Sequence, residues 1–399
     1  MKPLQILVAL VSMSSIGSST ARFAVLVCAA QAGASPATVG LLAALYAGVG
    51  SLASVPAGRL IDRLGVRTPL LYGAALLAFG VSLGAVWRGM PMLVAVIALT
   101  GIAFHVMIIG FGRLAGDLAT PDRRAEAFGM LGFGYSISLL AAPLIAGFAI
   151  DLIGFTWSFV LFALIPLGSF LMVYTDRLPW SPPAAARSAV AGPRTRVDQD
   201  TAGIPPRSGA LGLLRSPALR RLWACCIAFE AGWMGFTFML PIVGTQLGFS
   251  ASRIGLVAGA AGFMLFLTRA CMTPLLRRFT PWQLLIAGLA IGGTGFAGLG
   301  FADEFLWMVA GAGLIGLGQG ACSPMVTALI YENAPVHEKG EAIAMRTMIS
   351  SASQCTAPLV AGAISAAMGA MPVFLALAAG MLGTALSSRR RWRARRKQS

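Results

Sequence analysis

The sequence predicts an all-α membrane protein with twelve transmembrane helices, arranged as two parallel six-helix repeats with both termini in the cytoplasm. Of its 399 residues, 57% are hydrophobic and only 11% are charged, and the mean hydropathy is +0.80. Soluble domains carry about 25% charged residues, so this composition excludes them. The arrangement follows from two further observations, which are an internal repeat with an offset of 215 residues and basic residues concentrated in alternate loops.

Twelve apolar stretches are long enough to cross a bilayer, which takes about 20 residues of helix. In the first half they cover 5–30, 38–57, 69–87, 90–113, 125–150 and 155–174. In the second half they cover 222–246, 252–275, 281–300, 305–330, 341–366 and 372–386. The first stretch resembles a signal peptide because Lys2 precedes an apolar run. That run continues past Arg22, however, so we predict that it is kept as the first helix.

The basic residues predict the orientation of the chain. One alternate set of loops holds only Arg88 and Arg253, whereas most of the 30 Lys and Arg residues lie in the other set or next to the termini. Because positive residues concentrate on the cytoplasmic side of membrane proteins, both termini are predicted to be cytoplasmic. The excess over 14 acidic residues is therefore a topology signal, and no nucleic-acid partner is predicted.

The same pattern predicts the domains. Residues 1–175 form an N-terminal six-helix bundle, 176–217 a cytoplasmic linker, 218–386 a C-terminal six-helix bundle, and 387–399 a basic cytoplasmic tail. The linker is rich in Pro, Ala and Arg without an apolar period, which is typical of disorder. We interpret the tail as a topological anchor, with binding to anionic lipid as the alternative.

The internal repeat extends over most of each half. Its pairs include Gly33 with Gly248, Ser35 with Ser250, Gly40 with Gly255, and Gly154 with Gly369. The most similar segments are 142–147 and 357–362, which read Ala-Pro-Leu-Ile-Ala-Gly and Ala-Pro-Leu-Val-Ala-Gly. Since the offset contains an even number of spans, both halves have the same orientation. Parallel six-helix halves are typical of transporters that bind their substrate between the repeats.

A motif follows the second predicted span. Residues 58–67 read Gly-Arg-Leu-Ile-Asp-Arg-Leu-Gly-Val-Arg. This motif, the twelve spans, the duplicated half and the central loop together resemble the major facilitator superfamily over essentially the whole chain. The resemblance implies secondary transport driven by an ion gradient, usually of protons. It also implies a cavity lined largely by the first, fourth, seventh and tenth helices.

The resemblance places a conformational latch at this loop. Its residues are Gly58, Asp62, Arg63, Gly65, Arg67, Arg113 and Asp117. Gly58 is expected to let helices approach closely, and Asp62 to pair with an arginine in one conformational state only. Asp117 matches an acidic position of the family, whereas Val66 stands where the family usually has a basic residue, so the latch relies on the three arginines of the set. The alternative is that these arginines only anchor the loop.

Two proline segments partly resemble an element of the fifth helix in antiporters of the family. Pro143 and Pro358 match the proline of its Gly-Pro-x-x-Gly-Gly pattern. A proline removes one helix hydrogen bond and bends the span, and small neighbours permit close packing between the halves. The segments favour export over import, and helix packing alone is the alternative explanation.

Two residues inside spans are candidates for proton coupling. Glu230 is the carboxylate placed well inside a predicted helix, where a charge costs about 2.5–3.5 kcal/mol. It either binds and releases a transported proton or is held by a static partner. His105 lies near the middle of the fourth span, and histidine titrates near neutral pH. Its alternative is a hydrogen bond within the helix packing.

Five further residues inside spans are candidates for substrate binding, namely Arg22, Trp233, Arg269, Gln319 and Gln354. Arg22 faces a strip of serines and is predicted to hold an anionic substrate or to pair with Glu230. Arg269 lies nearer the cytoplasm. The alternative to substrate binding is that its long side chain extends to the membrane–water interface. The two glutamines suit hydrogen bonds either to substrate or between helices. Trp233 either holds an amphipathic substrate or faces lipid.

Taken together, these features predict a monomeric, proton-coupled exporter of a small organic molecule in the bacterial inner membrane. Its predicted partners are that molecule, protons and the lipid bilayer. Uptake of an organic anion is the alternative within transport, because Arg22, Arg269 and His105 oppose one buried acid. A sensor or scaffold that does not transport would need a folded soluble domain, which the linker and tail do not offer.

Enzymatic chemistry has no support in the sequence. The six cysteines lie in apolar stretches without metal-ligand spacing, which is typical of small buried thiols. No catalytic nucleophile, metal set or phosphate-binding loop is recognisable. We therefore predict no enzyme activity, no metal and no cofactor.

Overall fold

The computed structural model describes residues 3–119, 124–175, 180, 209–216, 219–335 and 338–396. In these ranges it has thirteen α-helices. The first five are α1 (Pro3–Gln31), α2 (Pro36–Leu64), α3 (Arg67–Val86), α4 (Met90–Leu118) and α5 (Arg124–Tyr174). The next four are α6 (Gly209–Arg215), α7 (Arg220–Gln246), α8 (Ala251–Ala270) and α9 (Met272–Arg278). The last four are α10 (Pro281–Leu299), α11 (Phe305–Asn333), α12 (Lys339–Met368) and α13 (Ala370–Arg396).

The helices account for the twelve predicted membrane crossings. Ten described helices are long and apolar enough to cross a membrane. One of these, Glu126–Tyr174, covers 49 residues, which is about 70 Å of helix and enough for two crossings. It is interrupted at Gly154, where φ is 72°. Helix α12 adds a more polar crossing of 30 residues. The predicted all-α membrane fold is confirmed, and the cytoplasmic location of the termini stays a prediction.

The repeat is visible in the turns between helices. Gly33 and Gly248 have φ angles of 77° and 72°, and Gly154 and Gly369 have angles of 72° and 84°. Residues with a Cβ atom rarely adopt these angles, so glycine is required at both members of each pair. In each half, a serine two residues after the first glycine also caps the following helix. The same turns are therefore built twice.

The two most extensive contacts between the halves are helix crossings. Helix α2 packs against α12, and α5 packs against α8. The repeat relates α2 to α8 and the first part of α5 to α12, so the two crossings are equivalent. We call the end of the bundle where α1 begins and α13 ends the termini side, and the opposite end the far side.

The predicted linker and tail differ from the structure where they fall on described residues. Most of the linker lies outside those residues, but its last part contains helix α6, which was predicted to be disordered. Leu213 of α6 is buried, and its carbonyl oxygen accepts a hydrogen bond of 3.2 Å from Trp223 Nε1. Burial of the Leu213 side chain and this hydrogen bond to α7 explain why the segment folds. Beyond Leu386, the predicted end of the last span, α13 continues as helix to Arg396.

Candidate functional site

Glycines bring the two halves into contact on the far side. A Cβ atom at Gly40 of α2 would lie 2.5 Å from the carbonyl oxygen of Pro358 in α12. At the equivalent crossing, a Cβ atom at Gly255 of α8 would collide with the carbonyl oxygen of Pro143 in α5. Backbones can approach this closely only where a side chain is absent. The far side is therefore closed, and both proline segments take part in packing between the halves.

Asp151 adds a polar contact to one of these crossings. Its Oδ1 accepts a hydrogen bond of 3.1 Å from the amide of Ala251, and its Oδ2 accepts one of 2.8 Å from the amide of Ser252. These amides belong to the first turn of α8, where backbone donors have no partner within the helix. A carboxylate from the N-terminal half thus caps a helix of the C-terminal half. The repeat places Ala366 at the position equivalent to Asp151, so the other crossing lacks this contact.

A cavity of about 60 Å³ lies between the halves, further from the far side than the closure. Its lining residues are Ser19, Arg22, Phe23, Leu26, Ser138, Leu139, Pro143, Trp233, Phe236, Thr237, Leu240 and Ala258. Helices α1, α5, α7 and α8 contribute to it, and the charged residue of this described lining is Arg22. Two of the predicted substrate-binding residues, Arg22 and Trp233, therefore meet in one cavity.

Arg22 lies against an aromatic ring. Its guanidinium carbon lies 5.2 Å from the ring centroid of Tyr46 in α2. The Tyr46 hydroxyl is in turn 2.6 Å from Ser18 Oγ, which fixes the ring. Arg22 forms no ion pair with any other described residue, and Glu230 makes a different contact. The predicted pairing of Arg22 with Glu230 is therefore absent from this structure.

Glu230 lies in a polar cluster within the C-terminal half. Its side chain is 9% exposed, and its Oε1 accepts a hydrogen bond of 2.5 Å from Ser350 Oγ in α12. Gln354 Nε2 donates to the same serine at 3.5 Å. Arg346, one turn before Ser350, donates to Ser323 Oγ of α11 at 3.2 Å. Glu230 forms no ion pair in the described part of the chain, so its bonded partner is a neutral hydroxyl.

His105 lies inside the packing of the N-terminal half. Its Nδ1 is 2.9 Å from the carbonyl oxygen of Gly101, and because a carbonyl only accepts, Nδ1 carries the proton. Its ring occupies the space that a side chain at Gly50 of α2 would need. This arrangement resembles the packing alternative more than an open proton pathway.

Two other predicted substrate-binding residues bond to protein groups between helices. The Gln319 side chain is 3% exposed, and its Nε2 donates to the carbonyl oxygen of Phe229 at 2.7 Å. Arg269 Nη1 donates to Ser136 Oγ at 2.9 Å, which joins α8 to α5 across the two halves. In this conformation both side chains contribute to helix contacts.

The latch residues lie on the termini side of the bundle. Asp62 is exposed and forms no ion pair with another described residue. Arg113 Nε lies 3.3 Å from Asp117 Oδ2 one turn along α4. Arg67 Nη2 donates to the carbonyl oxygen of Tyr174 at 3.1 Å.

The glycines of the latch have different surroundings. Gly65 ends α2 with a φ angle of 79°. A Cβ atom at Gly58 would meet no described atom within 4 Å, so the expected close approach of helices at Gly58 is wrong for this conformation. The reason is that this end of α2 is exposed, as Leu60 shows with 41% of its surface accessible.

Sequence reasoning missed three residues that complete these sites. No role was assigned from the sequence to Tyr46, Ser350 or Asp151. Their partners lie 24, 120 and 100 residues away along the chain. The available signal was that each is a polar residue in or beside an apolar span, but one sequence does not reveal which helix face each occupies.

Solved structures with the same fold are membrane transporters. A POT family transporter in complex with a thioalcohol-conjugated peptide has a TM-score of 0.76 at 14% identity, covering 96% of this chain and 94% of that chain. A POT family transporter with 5-aminolevulinic acid has a TM-score of 0.75 at 14% identity, covering 96% and 94%. A peptide transporter POT in complex with sulfate has a TM-score of 0.72 at 19% identity, covering 97% and 93%. At these identities the likeness establishes the fold alone.

Sequence comparison establishes the family. No curated protein matches the sequence. The profile of the Major Facilitator Superfamily matches residues 7–358 and 223–398, which together span most of the chain. Because this match agrees with the fold, the chain belongs to the Major Facilitator Superfamily and is a multi-pass secondary transporter, not an enzyme.

Proposed function

We propose that this protein is a proton-coupled transporter of a small organic molecule, with Glu230 as the group that carries the proton. The observation that supports the proposal is the burial of Glu230 against Ser350 without an ion pair among described residues. A buried carboxylate without a bonded cation is costly in its charged form, and a bound proton removes that cost. Entry of water to Glu230 in another conformational state would favour release of the proton.

Alternating access supplies the coupling. The far-side closure holds the halves together at two equivalent crossings. The cavity can therefore open to the far side only when these crossings separate. Rocking of parallel six-helix halves around a central site is the usual way in which such folds transport. We propose that Glu230 takes up its proton in one of these states and releases it in the other. His105 is the second proposed site for the proton.

The remaining assignments follow the sequence. We propose that the two bundles are residues 1–175 and 218–386, joined by a cytoplasmic linker, in a monomer in the bacterial inner membrane. Both termini are proposed to be cytoplasmic because of the distribution of basic residues. On this orientation the termini side faces the cytoplasm and the far side faces the periplasm.

Export is the direction we propose, on the basis of Pro143 and Pro358. Uptake of an organic anion is the second candidate, and one observation favours it, which is that the cavity wall carries Arg22 without a carboxylate partner among described residues. In the solved neighbours, the bound peptide and 5-aminolevulinic acid also belong to classes of small organic molecule that carry carboxylates.

Transport by purified protein in liposomes tests the proposal. A pH gradient of either polarity would be imposed, and a panel of amphipathic cations and organic anions followed together with proton flux. We expect substrate movement driven by the gradient in wild type and its loss in Glu230→Gln, whereas substrate exchange without a gradient persists. Glu304→Gln is the matched control, because Glu304 is an exposed acid before α11. Gradient-driven transport that survives in Glu230→Gln contradicts the assignment of the proton site.

A further inference from the structure

The charge of the cavity wall bears on the kind of substrate. Arg22 is the charged residue among the described residues that line it, and the remaining polar lining consists of hydroxyl groups. Behind Arg22 lie the Tyr46 ring and Ser18, which are neutral. The positive charge of the wall is therefore not balanced by a described acid. A cationic substrate would be repelled, and an anionic one attracted, at this position.

The geometry of Arg22 suits a carboxylate. The Tyr46 ring covers the guanidinium at 5.2 Å, and an aromatic contact of this kind leaves N–H donors at the edge of the guanidinium available. Two parallel N–H groups match the two oxygens of a carboxylate. Ser19 lies one turn before Arg22 on the same helix face and accepts a hydrogen bond of 3.4 Å from Ser138, so its own proton remains to be donated.

The opposite wall is aromatic and belongs to the other half. Trp233 and Phe236 of α7 have ring centroids 6.0 Å apart, and both line the cavity. The cavity volume of about 60 Å³ is smaller than the pockets of about 300–1,000 Å³ that hold drug-sized ligands, so we expect a small molecule that contacts both walls at once. The headgroup would thus bind to the N-terminal half, while the body of the molecule lies against the C-terminal half.

We propose that the cavity selects small organic anions, binding the carboxylate at Arg22 and Ser19 and an apolar or aromatic body at Trp233 and Phe236. This inference rests on the proposed transport function and adds the substrate class. Because the two ends of the molecule contact different halves, binding favours the conformation in which both walls are close. Tyr46 acts as a positioning residue that orients the guanidinium without contacting the substrate.

Binding to the purified full-length chain tests the proposal without any proton gradient. The probes are benzoate, 3-phenylpropionate and indole-3-acetate, each compared with its amide and with the amine of similar shape. We expect the carboxylates to bind and to raise the unfolding temperature, and the amides and amines to bind at least about tenfold more weakly. Sulfate and chloride at equal ionic strength are further arms, and they should not replace the organic anions. Equal or tighter binding of the amines, equal binding by the inorganic anions, or no binding by any carboxylate overturns the inference.

Variants assign the binding to Arg22. Arg22→Gln should weaken carboxylate binding by about tenfold or more, since hydrogen bonds to charged groups contribute more than neutral ones. Arg22→Lys keeps the charge but loses the planar fork, and should be intermediate. Arg253→Gln is the matched control, because Arg253 also lies over an aromatic ring, that of Phe305 at 5.9 Å, but outside the cavity. Full carboxylate binding by Arg22→Gln contradicts the assignment. If Arg22→Gln does not fold, the intermediate affinity of Arg22→Lys decides.

The test of the substrate class and the test of Glu230 as the proton site can fail independently. Glu230→Gln should bind the carboxylates normally while losing coupling to the gradient. Loss of coupling in this variant together with a failure of carboxylates to bind rejects only the substrate class. Normal coupling together with Arg22-dependent carboxylate binding rejects only the role of Glu230.

Discussion

A polar side chain inside an apolar helix of this protein either faces the cavity or joins two helices. Its hydrogen-bond partners show which of the two it does. Arg22 is half-buried and directed at a cavity, whereas the buried Gln319 donates to the backbone of another helix. The carbonyl of Phe229 that accepts this bond would otherwise have one partner fewer in an apolar surrounding. The two residues therefore lead to opposite predictions.

Replacing Gln319 should affect stability more than binding. Gln319→Leu removes the 2.7 Å hydrogen bond to Phe229, and a net loss of about 1 kcal/mol in the free energy of unfolding is expected. Binding of 3-phenylpropionate should stay within about twofold of wild type. Unfolding in denaturant and ligand titration in detergent measure the two effects. Gln354→Leu is the control, since Gln354 makes a longer bond of 3.5 Å. Lost binding with unchanged stability would instead support the substrate role of Gln319.

Site residues could be predicted from the sequence where burying their charged or titratable side chain in the membrane costs free energy. Arg22, Glu230 and His105 are conspicuous because few charged or titratable side chains lie within spans. Their partners were not predictable, since a hydrogen bond between Glu230 and Ser350 depends on the rotation of two helices 120 residues apart. The predicted Arg22–Glu230 pair failed for the same reason.

At the level of the helices, Asp151 is the contact that makes the two crossings unequal. Both crossings have glycine opposite proline, but only the crossing of α5 with α8 adds a carboxylate at a helix N-terminus. Negative groups at this position interact favourably with the helix dipole, by about 0.3–1 kcal/mol at exposed sites. The contact exists only while the far side is closed.

Removing this cap should weaken far-side closure. In Asp151→Ala, the amides of Ala251 and Ser252 lose their acceptor, so the ratio of closed to open molecules should fall by a factor of about three to thirty, corresponding to about 0.7–2 kcal/mol. Distances between spin labels on the far-side ends of α5 and α8 measure the population. Asp303→Ala is the control, because Asp303 is an exposed acid outside a helix on the same side. An unchanged distance distribution in Asp151→Ala would show that the glycine contacts alone hold the gate.

Helix positions were more predictable than their surroundings. Apolar length located the crossings because the bilayer thickness imposes it, and α12 is the helix among them that is more polar than the rest. The short helix α6 was missed, since its folding depends on docking of Leu213 against α7 and not on its own seven residues. The segment from Arg124 to Tyr174 was predicted as two spans, and the interruption at Gly154, where φ is 72°, lies at the predicted division.

At the scale of the whole molecule, residues that the 215-residue repeat aligns form two equivalent contacts between the halves. The aligned pairs Gly40 with Gly255 and Pro143 with Pro358 are spaced identically in the sequence. In the structure, each glycine lies against the proline carbonyl of the other half. Duplication therefore explains why these two crossings are built alike, and we expect a rigid-body movement of the halves to open both. This relation was not visible in the sequence, which aligned the residues without showing that they touch.

Blocking either crossing should have the same consequence for transport. In Gly40→Ala or Gly255→Ala, the new Cβ atom would collide with a backbone carbonyl oxygen, which cannot move like a flexible side chain. Each half can still fold, so we expect normal expression and purification with the far side held open and transport reduced at least about tenfold, as for a shift of 1.4 kcal/mol or more. Gly298→Ala is the matched control, since a Cβ atom there meets no described atom within 4 Å.

Opening of the far side is measured with a cysteine placed at Thr237, which lines the cavity, in a chain without its native cysteines. A membrane-impermeant thiol reagent added on the far side should label both crossing variants faster than wild type or Gly298→Ala. Wild-type labelling in Gly40→Ala with fast labelling in Gly255→Ala would show that the two crossings move independently.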